Sequence, residues 1–243
     1  MVRKFIKGDI AVYHQMSSTL QRYLHRTTFI PKSLQFALNA VQFRVLRYYK
    51  EKEVMNLLTK IFAERDCQLK ANEAFLIYSL ARAQKSLSGE FAEVGVYQGS
   101  SAKIICEAKG DTPFHLFDTF AGLPQTQKID QLFQEKQYRS SREAVEHYLI
   151  QYPGVYIHPG LFPATAEHLK HKKFSFVHLD ADIYQSTWDA LQFFYVRMVP
   201  GGIILTHDYA QAAGVKKAFT EFFKDKPESI IELAESQALI IKR

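Results

Sequence analysis

Acidic residues recur in this chain where short apolar runs give way to polar sequence. Glu93 lies in Gly-Glu-Phe-Ala-Glu-Val-Gly-Val-Tyr-Gln-Gly-Ser-Ser (89–101), Asp118 follows His-Leu-Phe, Asp180 and Asp182 follow Phe-Ser-Phe-Val-His-Leu, and His207-Asp208 follows Gly-Ile-Ile-Leu-Thr. The 89–101 stretch reads as a strand, a tight turn and the start of a helix. That arrangement aims the N–H groups of the turn, and the positive end of the helix dipole, at whatever lies beyond the strand. A carboxylate at the strand end repels a pyrophosphate and suits an ammonium or sulfonium group, so Glu93 favours a nucleoside carrying an amino acid over a dinucleotide. Asp118, at the tip of the next apolar run, is placed to accept hydrogen bonds from both hydroxyls of a ribose.

The elements that must position these groups follow from periodicity. Leu34, Leu38, Val41, Val45 and Tyr48, then Val54, Leu57, Leu58, Ile61 and Phe62, recur at helical spacing over 31–66 with a charged interruption at 50–53. Residues 71–87 give a further helix. Strands are then expected at 114–117, 155–157, 174–179 and 202–206, with helices at 142–150, 186–196 and 215–223 between and after them. Such alternation predicts an α/β fold, a doubly wound, mostly parallel sheet with helices on both faces. The short runs 229–233 and 238–241 read as an antiparallel hairpin closing the sheet edge. A long polar insertion, 124–141, follows the second strand, in the place of a lid or binding loop. In open sheets of this kind ligands sit beyond the carboxyl ends of the strands. Glu93, Asp118, Gly160, Asp180, Asp182, His207 and Asp208 all fall there.

Composition narrows the classes. The 243 residues have the apolar and charged fractions of an ordinary globule. Cys67 and Cys106 form no CxxC pair, which excludes a disulfide framework and a cysteine zinc site. No apolar run approaches the roughly 20 residues of a membrane-spanning helix, and no cleavage site follows the basic start, so a cytoplasmic protein without stable membrane insertion is expected. The net charge of +6 is uneven, with 13 Lys/Arg against 5 Asp/Glu in residues 1–70 and 18 against 20 in the remainder. These basic residues are interleaved with helical apolar spacing and match no nucleic-acid module, so nucleic acid is not an expected partner. The amphipathic front end allows a homodimer.

Asp118 lies 19 positions beyond Gly99, a spacing that also suits a nicotinamide dinucleotide. The first turn argues against that cofactor, since Gly95 and Gly99 are separated by three residues and G-x-G-x-x-G is absent. No Gly-Lys-Ser/Thr occurs, which excludes a P-loop.

Five segments together resemble the macrocin O-methyltransferase (TylF-like) group of class I methyltransferases: Glu-Val-Gly-Val-Tyr-Gln-Gly-Ser-Ser (93–101), Phe-Asp-Thr-Phe-Ala-Gly-Leu-Pro (117–124), Pro-Gly-Leu-Phe-Pro-Ala-Thr (159–165), Leu-Asp-Ala-Asp-Ile-Tyr-Gln-Ser-Thr (179–187) and Pro-Gly-Gly-Ile-Ile (200–204). The resemblance implies a seven-stranded Rossmann-like domain over residues 71–243, with residues 1–70 as a helical extension. It implies transfer of the methyl of S-adenosylmethionine to a hydroxyl of a small, sugar-containing metabolite. Carried over, Glu93, Gly95 and Ser101 hold the methionine end, Asp118 the ribose, and Gly160 to Phe162 lie near the adenine, with Asp180 facing the reaction centre. A sugar hydroxyl is a poor nucleophile, so a base or a metal is expected. In the resembling group Asp180 and the acidic pair after the fifth strand correspond to a divalent-metal site, for Mg or Mn.

This chain departs from that pattern, with His207-Asp208 in place of two acids. Asp180, His207 and Asp208 suit Mn, Zn or Fe, whereas Mg prefers oxygen. An alternative makes His207 a general base, its imidazole neutral near physiological pH, with no metal. Asp182 reads equally as the cap of the helix expected from Ser186, His178 as a core histidine, and Trp188 and 193–195 as core. Two other functions compete, a nicotinamide-dependent oxidoreductase and a non-catalytic methyltransferase-like protein that meets an anionic surface through its basic N-terminal helices.

Overall fold

The computed structural model describes residues 32–243, so residues 1–31, the first part of the basic front end, lie outside the described residues. Helix α1 (Lys32–Tyr49) and helix α2 (Lys52–Glu64) break at Lys50–Glu51, where the charged interruption falls. Then come α3 (Ala71–Gln84), β1 (Glu90–Val94), α4 (Ser100–Lys109), β2 (Phe114–Asp118), α5 (Arg142–Leu149), β3 (Val155–Pro159), a 3₁₀ turn (Ala164–Leu169), β4 (Phe174–Leu179), α6 (Tyr184–Tyr195), β5 (Met198–Thr206), α7 (Ala213–Phe223), β6 (Ile231–Glu232) and β7 (Ala238–Ile241). The sheet order is β3-β2-β1-β4-β5-β7-β6. Strands β1 to β5 run parallel, and β7 is antiparallel to both β5 and β6. The hairpin expected at 229–233 and 238–241 is thus present, its second strand inserted beside β5.

Alternation along the strands splits the core in two. Phe91, Leu116, Phe176 and Leu205 face one side with residues of α2, α3, α4 and α5. Ala92, Val94, Phe117, Val177, Leu179 and Ile204 face the other with α6, α7 and the 3₁₀ turn. Residues 42–243 form one compact unit. Helix α2 buries Val54, Met55, Leu58 and Ile61 in the same core as α3 and α4.

Register then determines what meets beyond the strands. Leu179 of β4 pairs with Thr206 of β5, and the ladder continues one step, His207 N–H donating to the Leu179 carbonyl and Asp180 N–H to that of Val94, both at 2.8 Å. Asp180 and His207 are consequently neighbours at adjacent strand ends. Gly95, with φ +88°, ends β1 against the same loop; a Cβ there would lie 1.9 Å from the Asp180 carbonyl oxygen.

The insertion is pinned to this platform. Asp130 is buried, and its carboxylate accepts from Gln127 N–H and, across the crevice, from Tyr184 N–H in the first turn of α6, both at 2.9 Å. Gly214 of α7 leaves room for that carboxylate, since a Cβ would come within 2.0 Å of it. The cap of α6 is therefore Asp130 rather than Asp182, because the helix starts at Tyr184, two residues earlier than expected, and the donor at its end faces the insertion. At the other sheet edge Glu228 accepts from Lys242 Nζ at 2.6 Å, Tyr195 Oη at 2.8 Å and Arg243 N–H at 3.2 Å, which ties the end of β7 to α6.

Two outcomes follow. Asp130→Ala removes a charge-assisted cap and costs about 1–2 kcal/mol, with faster limited proteolysis within 124–141 than elsewhere; equal cleavage rates in the two proteins would contradict the docking role. Burial acts to raise the Glu228 pKa, but Lys242 and Tyr195 depress it to about 2 from an ordinary 4.5. Its stabilisation is therefore full above about pH 4.5 and lost as pH falls toward 2, a contribution of about 1–2 kcal/mol after solvent screening. Melting temperatures of the parent and Glu228→Gln should accordingly converge as pH is lowered from 5 to 2.

Candidate active site

The cluster beyond β4 and β5 is built around His207. Its Nδ1 lies 3.2 Å from Asp180 Oδ1 and 3.2 Å from Asp208 Oδ1, and its Nε2 3.2 Å from Glu73 Oε2 on α3. Burial alone would push the imidazole toward neutrality, but Asp208, Asp180 and Glu73 hold its pKa well above the ordinary value. The same three carboxylates make the ring more basic, and its lone pair is available to a proton or to a cation but not to both at once.

Burial opposes ionisation of Glu73, yet His207, Lys70 and Ser236 keep its pKa well below the usual carboxylate range. Asp208 is likewise lowered against burial by His207. Asp182 goes the other way, raised well above its ordinary value by burial and by the charges of Asp180 and Asp208. Both Asp182 and Asp208 adopt the left-handed backbone, with φ +61° and +57°, a strained conformation for residues other than glycine.

The donor set fits a divalent cation. One atom each from Asp180, His207 and Asp208 falls within 4.8 Å of the others. Ligands at right or tetrahedral angles on metal bonds of about 2.0–2.2 Å stand about 2.8–3.6 Å apart. The two 3.2 Å separations from Nδ1 lie in that range.

The turn after β1 is organised differently from its expected form. Asp118 Oδ2 accepts from the N–H groups of Val96 at 2.7 Å and Tyr97 at 2.8 Å, and Oδ1 from Phe120 N–H at 2.7 Å. The turn's donors are thus already neutralised by a carboxylate, which closes the turn to a phosphate and leaves Oδ1 a lone pair for a ribose hydroxyl. Ser100 Oγ, in the first turn of α4 beside the Cys67 thiol, makes no hydrogen bond of ordinary geometry, and neither does Thr165 Oγ1 beside Gly160.

Glu93 is fully buried within β1, where its register partner His178 donates to or accepts from it at 2.7 Å; it faces the α3–α4 side of the sheet rather than the crevice. Burial, with the charge of Asp180, raises its pKa. His178 is accordingly a core histidine, although its Nε2 finds no partner. Phe162 packs edge-on to Phe117 and flat on Phe194, within the second core. Gly95 lies against the Asp180 backbone. Ser101 is buried in the first turn of α4, next to the turn.

Two residues escaped the sequence reading. Glu73 carried no signal beyond a helical position. Tyr138, in the insertion, stacks edge-on against Tyr97 with ring centroids 5.5 Å apart. Burial and the charges of Asp182, Asp208 and Asp180 raise its pKa, which puts its hydroxyl in the field of the acid cluster. Tyr184 instead bonds Glu221 at 2.8 Å, and Trp188 packs in the core between Tyr184 and Phe222.

Comparison with known proteins agrees with this architecture. Over 139 residues, 50% of this chain and 53% of the relative, it is 28% identical to an 8-demethyl-8-(2,3-dimethoxy-alpha-L-rhamnosyl)-tetracenomycin-C 4'-O-methyltransferase of Streptomyces olivaceus, so the match spans about half that relative's length. Among solved structures, the O-methyltransferase NovP superposes with a TM-score of 0.62 at 20% identity, over 72% of this chain and 81% of that one. TomG of Streptomyces achromogenes, an O-methyltransferase of tomaymycin synthesis solved in complex with SAM, gives 0.59 at 16% identity, over 86% of this chain and 99% of that one. At these identities the structures establish a shared Rossmann-like methyltransferase fold. The model of the macrocin-O-methyltransferase (TylF) family matches residues 78–233, close to two thirds of the sequence, and the chain belongs to that family.

Proposed function

We propose that this protein transfers the methyl group of S-adenosylmethionine to a hydroxyl of a small, sugar-containing metabolite in the cytoplasm, with a divalent cation held by Asp180, His207 Nδ1 and Asp208. The observation that carries the reading is the set of three ligand atoms at the ends of β4 and β5, with 3.2 Å separations about Nδ1, beside a turn closed to phosphate. The family, and the rhamnosyl group in the name of the Streptomyces olivaceus relative, support a sugar hydroxyl as acceptor. The SAM complex of TomG supports the methyl donor. Among the described residues no helix is long and apolar enough to cross a membrane.

A bound S-adenosylmethionine supplies an electrophilic methyl, and a cation in the acid cluster lowers the pKa of the acceptor hydroxyl. The chain's own part is alignment, which contributes up to about 7–11 kcal/mol in well-oriented systems. Asp118 offers Oδ1 to a ribose hydroxyl while its Oδ2 holds the turn in shape. Ser100 and Ser101 stand at the positive end of α4, suited to the methionine carboxylate. Tyr97 and Tyr138 make an aromatic wall between turn and insertion that keeps water from the reacting oxygen. Asp180 is the most exposed member of its cluster and the one open to an acceptor.

The oxidoreductase reading weakens on the same geometry. A dinucleotide needs the turn N–H groups for its pyrophosphate, and Asp118 occupies them.

S-Adenosylhomocysteine should raise the melting temperature while NAD leaves it unchanged; the opposite pattern would overturn the assignment. Asp180→Asn should abolish methylation of rhamnose-bearing glycosides, read by mass spectrometry, with S-adenosylhomocysteine affinity within about tenfold. Equal loss of both would make Asp180 a cofactor residue only. Chelation should stop transfer and Mn(II) restore it.

A further inference from the structure

Glu73 lies on α3, outside every strand-end motif, yet it reaches the centre of the cluster. It is 1% exposed and its two oxygens receive five donors. Oε1 accepts from Ser236 Oγ at 2.6 Å, Ser236 N–H at 3.2 Å and Lys70 Nζ at 3.2 Å. Oε2 accepts from Lys70 N–H at 2.9 Å and faces His207 Nε2 at 3.2 Å.

A carboxylate surrounded in this way can only accept, so the nitrogen facing it must carry a hydrogen. In a metal-binding imidazole the lone pair then resides on the other nitrogen, Nδ1, which points at Asp180 and Asp208. The anchor is rigid for two reasons. The Lys70 N–H contact closes the first turn of α3, and Ser236 sits between β6 and β7. Ser236 also accepts from Ala210 N–H through its carbonyl at 3.0 Å, so one residue braces both Glu73 and the loop that follows Asp208.

We propose that Glu73, fixed by Ser236 and the start of α3, is a positioning residue that selects Nδ1 of His207 as the metal-ligating nitrogen and holds the ring in line with Asp180 and Asp208. The inference rests on the metal reading above. It explains how an imidazole serves where the family pattern has an acid: a histidine ligand needs a second partner to set its tautomer and ring angle, and loss of such partners typically weakens metal binding about 10–100-fold.

The test is metal binding, without acceptor or turnover. Zn(II) and Mn(II) affinities are measured by calorimetry for the parent protein, Glu73→Met and Glu73→Gln, with ¹⁵N spectra of histidine-labelled, Zn(II)-loaded protein assigned through His207→Gln. The expected result is zinc on Nδ1 with hydrogen on Nε2, affinity about 10–100-fold weaker in Glu73→Met, and recovery to within about tenfold in Glu73→Gln, whose amide oxygen can still accept from Nε2. S-Adenosylhomocysteine thermal shifts should be the same in all three, which separates positioning from general damage. Zinc on Nε2, or parental affinity in Glu73→Met, overturns the proposal alone. No Zn(II) or Mn(II) binding by the parent overturns both it and the metal reading. If Glu73→Met does not fold, the parental ¹⁵N spectrum and Glu73→Gln decide.

Discussion

Everything at the candidate site depends on the parallel ladder running one step past the ends of β4 and β5. Because His207 N–H bonds the Leu179 carbonyl and Asp180 N–H bonds that of Val94, the backbone carrying the acid cluster is held as firmly as the sheet itself. The side chains are then under electrostatic load. The His207 ring faces Asp180, Asp208 and Glu73, and Asp182 is driven toward its neutral form nearby. Glu73 keeps its buried charge with five donors around its two oxygens. Clusters of groups with strongly shifted pKa values of this kind gather at functional sites.

Much of the fold was legible in the sequence. Alternating apolar runs announced β4 to the residue, and the charged interruption at 50–53 coincides with the break between α1 and α2. The separation of Asp180 and His207 by a helix and a strand, with matching positions at the strand ends, was enough to bring them together. Helix starts were read less well. Ser186 looked like the beginning of α6, but the helix begins at Tyr184 because its cap comes from Asp130, more than fifty residues earlier. A cap supplied from a distant segment leaves no local signature.

The same limit governs the site. Charge and the family resemblance give Glu93 a ligand role, but neither shows that strand alternation turns it to the α3–α4 side, opposite His178. The resemblance puts Phe162 near the adenine without showing that it packs with Phe117, Phe193 and Phe194. Asp118 is legible at the tip of β2, but its bonds to the Val96 and Tyr97 N–H groups are contacts between segments some twenty residues apart. Glu73 was illegible because nothing in a helical Asn-Glu-Ala shows which side chain will meet a strand end 134 residues away.

Gly95 bears on how the two halves of the site communicate. Its missing side chain lets the turn after β1 rest directly on the carbonyl of Asp180. The distance between the ligand turn and the acid cluster is consequently set by main-chain atoms in contact, with no rotamer between them to absorb a displacement. A shift of the turn of a few tenths of an ångström would be transmitted to Asp180 as a rigid push. The two sites form one mechanical unit, in which the residues around them can vary while the gauge between donor and acceptor stays constant.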